Sequence, residues 1–296
     1  TPQQTLSLRL SDTYWEKSAW KYAGIDFVAA ASGAPLINAM LANQIDLNAS
    51  GTALTTDQAS TLQGRPGFKL QTVTSDSNFA YLAICKNKPP FDNLQFRQAV
   101  AYAIDRDAIN TAIYGGKGES QYMMWPKDSK FFTASLDNTY KHDVTKAKAL
   151  LTQAGYPNGI DLDTMTLEAN RRLSELVQAQ LGEAGIRVKL QTTADIVTDF
   201  YTNVKTPAAV SAWIRPGLQK VTRAFGPNSV ANVCQYSSPE LNALTDQLAT
   251  MTPDDPRAKG LWDQVNKFVV DNVLWELFAW QPLVYGVNTS RVGGDL

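Results

Sequence analysis

The 296-residue sequence holds one histidine and two cysteines, and these scarcities exclude much chemistry. A single histidine rules out His-rich zinc sites and the paired histidines of an H-E-x-x-H metalloprotease helix. It leaves room for one Ser-His-Asp triad, around His142 in the polar run Tyr140-Lys141-His142-Asp143. No G-x-S-x-G accompanies it, and a solvated loop histidine is the simpler reading. Walker loops and C-x-x-C pairs are also missing, so no metal and no cofactor is expected. No apolar run approaches the roughly 18 residues of a membrane-spanning helix. Lys plus Arg number 27 against 28 Asp plus Glu, a formal charge of -1 without the basic excess of a nucleic-acid binder. Thr1 is preceded by no initiator methionine and begins no charged-then-apolar leader, so a mature, trimmed or excised chain is expected.

Cys85 and Cys234 stand 149 positions apart, a spacing that defines no framework. Cys85 ends the strand-like run Phe79 to Ile84, where a small buried thiol is the default. Cys234 lies in a loop after Pro227-Asn228. Two free thiols are expected, a bridge requiring the fold to bring the two together.

What is present is 44% hydrophobic and patterned in two alternating periods, which reads as α/β. At roughly 150 residues per domain the length suggests two domains or one large one. The spacing of Leu173, Leu176, Val177, Leu181 and Ala184 predicts a helix from about Arg172, stopped by Gly185. Ile186, Val188 and Leu190 then alternate with polar residues as a strand, and Asp161 to Glu168 reads as another before the helix. The set is β-α-β, which favours a right-handed crossover between parallel strands. Asp143 caps a helix through Leu151 that Gly155 closes, and Ser238-Pro239-Glu240 opens another. Leu261, Val265, Phe268 and Val269 mark a helix begun near Pro253 to Pro256. Phe96, Val100, Ile104, Ile109 and Ile113 predict one long helix ending at Tyr114-Gly115-Gly116. Leu36, Met40 and Leu41 give a short helix between strand-like Ile25 to Val28 and Ile45 to Leu47. The polar, doubly prolyl Lys86 to Pro90 reads as a crossing between lobes. Gly115 to Ser120 is a glycine-rich turn that follows a helix rather than opening one, which argues against a phosphate cradle.

The run from Asn87 to Arg106 (NKPPFDNLQFRQAVAYAIDR) resembles the signature of the family 5 extracellular solute-binding proteins, the peptide- and nickel-binding receptors of ABC importers. Three further blocks follow the family's order: Leu8-Arg9-Leu10 through Tyr14-Trp15, Leu36 through Leu47, and Lys146 through Gly159. Within the signature, Arg97, Asp105 and Arg106 are read as salt-bridging and capping residues on one helix. The resemblance implies a periplasmic-binding-protein-like fold of type II, two α/β lobes that close on a solute by a hinge. Family members carry a substantial stretch upstream of the first block. The chain is therefore expected to lack the N-terminal part of lobe one and the small extra domain. Residues 1–86 plus 281–296 would be the remainder of lobe one and 87–280 lobe two. Weak or absent solute binding and self-association through the surface left exposed are expected of such a chain alone.

The implied function is the extracytoplasmic binding component of an ABC importer, not an enzyme. Its partners would be a small-molecule or peptide solute and a membrane permease, with no nucleic acid. Its place would be periplasmic or extracellular, free or as an anchored lipoprotein. A ligand-presenting sensor and a carboxylate-based hydrolase are the alternatives. The family's second-lobe recognition strand usually ends in a Trp before a small loop, and AVSAWIRPG, residues 209–217, occupies that place. The resemblance thus implies Trp213 as a cleft residue, with Ser211 and Ile214 beside it; an indole packing lobe two is the other reading. Peptide-binding members commonly pair an Asp after this Trp with the peptide amino terminus, but Ile214 to Gln219 contains no acid. Arg215 is read either as meeting an anionic solute, whose carboxylate or phosphate suits a guanidinium, or as a solvated rim residue. Asn78 and Phe79 lead into the crossing segment and are further ligand candidates. Tyr122 and Trp125 follow the glycine-rich turn, as an apolar ligand wall or as core.

Overall fold

The two-period pattern is clearest between positions 160 and 193, and the structure, a computed structural model, realises it there as strand, helix and strand. Residues 5–29, 34–48, 54, 56–214, 224–226, 229, 231–252 and 254–293 are described. Ile160–Leu167 and Ile186–Thr193 run parallel, with Leu162 opposite Val188. The helix between them, Arg171–Glu183, buries Leu173, Val177 and Leu181. Gly185 follows at a φ of 97°, the left-handed backbone that turns the helix into the second strand.

The chain divides into two compact units, Thr1–Val73 with Leu283–Leu296, and Thr74–Pro282. The first holds β1 (Thr5–Arg9), β2 (Gly24–Val28), α1 (Ala34–Leu41), α2 (Thr56–Leu62) and the start of β3 (Phe68–Ile84). Leu36, Ile37, Met40, Leu54 and Leu62 pack with Val284 into a small core. The strand-like Ile45 to Leu47 contributes a single bridge, Leu47 to Val287. β1 and β2 form an antiparallel ribbon that pairs Leu6 with Phe27 and Leu8 with Ile25. These four side chains are exposed. Arg9 and Asp26 meet at 2.6 Å on the same ribbon.

The second unit adds α3 (Leu94–Ala103), α4 (Arg106–Tyr114), β4 (Glu119–Ser120), α5 (Val144–Gln153), β5 (Ile160–Leu167), α6 (Arg171–Glu183), β6 (Ile186–Thr193), β7 (Ala208–Ile214), α7 (Pro239–Ala249), α8 (Ala258–Asp271) and the start of β8 (Glu276–Asn288). The described strands order as β4-β8-β3-β7-β5-β6 in one sheet. Alternation along β3 divides the apolar residues between two cores. Ala80, Leu82 and Ile84 join the core beneath α3, α5 and α6. Phe79, Tyr81, Ala83 and Cys85 join the opposite core, with Leu241 and Leu248 of α7 and Trp262, Val265 and Val269 of α8. The caps expected at Asp143 and Ser238 form, their side chains accepting from the Lys146 and Leu241 amides. The glycine-rich turn closes tightly, since Asn110 exchanges two 2.9 Å hydrogen bonds with the Gly118 backbone. A Cβ on Gly118 would lie 2.8 Å from the Trp280 carbonyl oxygen.

Two expectations need correction. The long helix from Phe96 to Ile113 is two helices, broken at Ile104-Asp105. Asp105 takes an extended backbone and accepts from the Ala108 amide at 2.9 Å, so capping a new helix outweighs continuing the old one. Arg97 and Arg106 consequently sit on different helices, and both are buried donors to backbone carbonyls. Second, Cys85 and Cys234 are joined as a disulfide with Cα atoms 5.4 Å apart, so the thiols are not free. The chain returns to the end of β3 after β7, a closure that sequence spacing does not encode. The two units meet in sequence at Val73/Thr74, and Lys86 to Pro90 lies within the second. Lys86 and Pro90 are buried at the ends of that segment, while Asn87, Lys88 and Pro89 between them are exposed.

Candidate functional site

The recognition-strand residues fall where β3 and β7 pair antiparallel. The register sets Phe79 opposite Trp213, Asn78 opposite Ile214 and Tyr81 opposite Ser211. Five of the eight candidate positions, 78, 79, 211, 213 and 214, thus come together at one end of two adjacent strands. Trp213 and Ile214 are placed by their backbone alone, and Arg215 lies outside the described residues. Phe79 has no exposed surface and stands edge-on to Trp275 and Trp280, with ring centroids 5.1 and 5.0 Å away. Asn78 and Ser211 are also buried.

Tyr122 and Trp125 do not join the strand end; each lies in a packed core, Trp125 in the one that also holds Phe79. Tyr122 lies beside Tyr140 and under the Arg106 guanidinium, 4.8 Å from its ring centroid. Trp125 packs edge-on against Trp262 at 4.8 Å and against Phe131 at 5.1 Å. Trp262, Trp275 and Trp280 are buried in the same core. His142 sits on a partly exposed loop with Nδ1 3.6 Å from Asp105 Oδ2.

Beneath the paired strands lies a chain of hydroxyls that no sequence pattern marks. Tyr201 is carried by a π-helical turn, Val197–Thr202, a rare geometry that inserts an extra residue into the helical repeat. Its hydroxyl lies 2.5 Å from that of Tyr81 and donates to Ser211 Oγ at 3.3 Å. Burial pushes both tyrosine hydroxyls above their ordinary range, Tyr81 further through the neighbouring Tyr201, so both keep their protons. The result is a rigid, neutral support under the end of β7.

Next to it the disulfide ties the segment after β7 to the end of β3. Cys234 adopts a left-handed backbone with φ of 60°, and its carbonyl accepts from Asn87 Nδ2 at 2.6 Å. Lys86, one residue beyond Cys85, is 8% exposed. Burial first, and Arg97 second, push its ammonium down to about 7. A second buried charge, Glu276, is fully enclosed with Oε2 3.9 Å from Arg106 Nη2. Burial outweighs the attraction of Arg106 and Arg97 and pushes its carboxyl up to about 8. Neither carboxylate oxygen has a hydrogen-bond partner among the described residues. Among those residues no group of three or more His, Cys, Asp or Glu could hold a metal ion, and no helix is long and apolar enough to cross a membrane. Sequence reading missed Tyr201, Lys86 and Glu276, because each takes its role from partners distant in the chain.

The arrangement has counterparts in known proteins. Heme-binding protein A of Haemophilus influenzae is 29% identical over 213 residues, 67% of this chain and 38% of that protein. The dipeptide-binding protein of Escherichia coli is 33% identical over 122 residues, 39% of this chain and 23% of that protein. The chain spans less than half the length of these curated relatives. The periplasmic binding protein DppA from Helicobacter pylori, solved with the peptide STSA, superposes with a TM-score of 0.83 at 19% identity. It covers 97% of this chain and 56% of its own. That likeness shows a shared type II periplasmic-binding-protein fold, with the solved chain carrying further polypeptide. The profile of the family described as "Bacterial extracellular solute-binding proteins, family 5 Middle" matches residues 1–220, which include the NKPPFDNLQFRQAVAYAIDR block and the β7 strand. The chain therefore belongs to the bacterial extracellular solute-binding proteins of family 5.

Proposed function

We propose that this chain is part of the solute-binding component of an ABC importer and takes a peptide or peptide-like solute carrying an anionic group. Family membership supports the binding role. The pairing of Asn78 and Phe79 with Trp213 and Ile214 is the observation that carries the location of the site. The Tyr81-Tyr201-Ser211 hydroxyls and the disulfide hold that strand end rigid, which lowers the ordering cost of recognition. The solute would be held as two lobes close on it, and micromolar binding asks only about -8 kcal/mol of standard free energy. Arg215 is assigned to the anionic group, since the stretch from Ile214 to Gln219 offers no acid for an amino terminus.

The disulfide supports a periplasmic or extracellular location, because such bridges persist in oxidising compartments. A lipid anchor and a membrane permease partner belong to the same proposal. So does self-association of the isolated chain through the exposed Leu6, Leu8, Ile25 and Phe27 face. Native mass spectrometry of the full-length protein, with and without added di- and tripeptides, identifies the solute, and spectra of the isolated chain read its oligomeric state. Calorimetric titration of that solute into Arg215→Ala then tests the assignment, with at least a tenfold loss of affinity expected. Unchanged affinity removes Arg215 and the anionic preference together. Copurification with a membrane kinase in place of a permease would favour the ligand-presenting sensor.

A further inference from the structure

A small cavity of about 20 Å³ lies within the second unit, against Tyr81, Lys86, Phe225 and Trp275. That is room for one water-sized guest. Its polar wall is unusual. The Lys86 side chain is 8% exposed and makes no ion pair with a carboxylate among the described residues. Its one described hydrogen bond, to the Ile84 carbonyl, is 3.5 Å long, well beyond the ordinary length. The Phe225 ring lies 5.3 Å away on another side, and a ring face accepts a cation without neutralising it. Three ammonium donors are therefore enclosed with one weak acceptor and no counter-charge, an arrangement that burial strongly penalises.

The stretch that carries Phe225 offers no internal counter-charge, and the buried Glu276 faces Arg106. From Ile214 to Pro239 there is no Asp or Glu, while Arg215, Lys220 and Arg223 are all basic. Arg97 is the charged group that acts on Lys86, and it too is positive. We propose that this cavity is a binding site for a single small monoanion, halide-sized, held by the Lys86 ammonium beside the Phe225 and Trp275 rings. The site is separate from the assignment of Arg215, and its guest is a free ion. The volume does not admit a phosphate or the end of a peptide.

Occupancy makes Lys86 hold its proton, so the ion and the proton bind together. Around the cavity the titratable groups are Lys86 and Tyr81, with Arg97 acting on the former; the remaining lining side chains are aliphatic or aromatic. Tyr81 stays neutral because burial raises its hydroxyl. Anion affinity is therefore expected to fall as pH rises past about 7, where Lys86 loses its proton.

The test is thermal unfolding of the purified protein at constant ionic strength in fluoride, chloride or bromide against bulky gluconate. A saturable rise in the midpoint with the small anions is expected, fading at alkaline pH, and absent in Lys86→Met. Equal midpoints in all four salts would overturn the proposal, and so would an undiminished response in Lys86→Met. Should Lys86→Met fold poorly, a bromide-soaked crystal of the wild-type protein decides by anomalous scattering. A peak beside Lys86 Nζ supports the site; peaks elsewhere only, or none, refute it.

Discussion

Glu276→Gln is the perturbation with the most informative sign. The carboxyl is fully buried, its oxygens accept no hydrogen bond among the described residues, and it ionises at about 8 instead of 4.5. A folded-state value above the unfolded one means that the native state keeps a proton the unfolded chain has released. Stability from this group is therefore complete below about 4.5 and declines as pH rises, levelling off above about 8. At about 1.4 kcal/mol for each pH unit, that interval amounts to at most about 5 kcal/mol. Gln is close in shape to the protonated acid and cannot ionise, so the variant lacks the decline. Urea unfolding of both proteins from pH 5 to 9 reads the difference, and Lys86, present in both, cancels. Near pH 5 the two should be about equally stable, and Glu276→Gln should gain steadily to become several kcal/mol more stable by pH 8. Parallel stability profiles across the range would refute the reasoning and show that Glu276 is ionised beside Arg106 throughout.

Two further outcomes follow from packing and local structure. Replacing Cys85 and Cys234 together by Ser should cost roughly 3–5 kcal/mol, since the bridge closes a very long loop; an unchanged urea midpoint would show that the returning segment is held without it. Asp105→Ala should cost about 1 kcal/mol by uncapping α4, and Asp105→Asn should recover most of it; equal losses in both variants would point to a charge effect instead.

The reading of Arg97, Asp105 and Arg106 shows how far local pattern reaches. The apolar spacing from Phe96 to Ile113 is regular enough to suggest one helix, and the break comes from a single aspartate that serves better as a cap. Once the break is made, Arg106 turns its donors onto the carbonyls of Ala101, Ile104, Tyr140 and Leu277. The last two belong to segments far along the chain, so backbone satisfaction, which local pattern does not show, accompanies the ion pair of Arg106 with Glu276. Likewise Tyr122 and Trp125 read equally well as a ligand wall or as core, because an aromatic cluster is apolar in either place. Only their contacts with Tyr140, Arg106, Phe131 and Trp262 place them in packed cores.

The sequence by itself determined the α/β class, the β5-α6-β6 unit, the helix caps and glycine stops, and the family. These rest on periodicity and on interactions spanning a few residues, which a linear string records directly. Tertiary structure alone decided the Cys85–Cys234 bridge, the Tyr81-Tyr201-Ser211 hydroxyls, the buried Glu276 beside Arg106 and the enclosure of Lys86. Each of these depends on burial or on partners remote in the chain. The scarcity of histidine and cysteine excluded His-rich metal sites, but where the two cysteines and the buried charges act was fixed by how the sheet brings distant segments together.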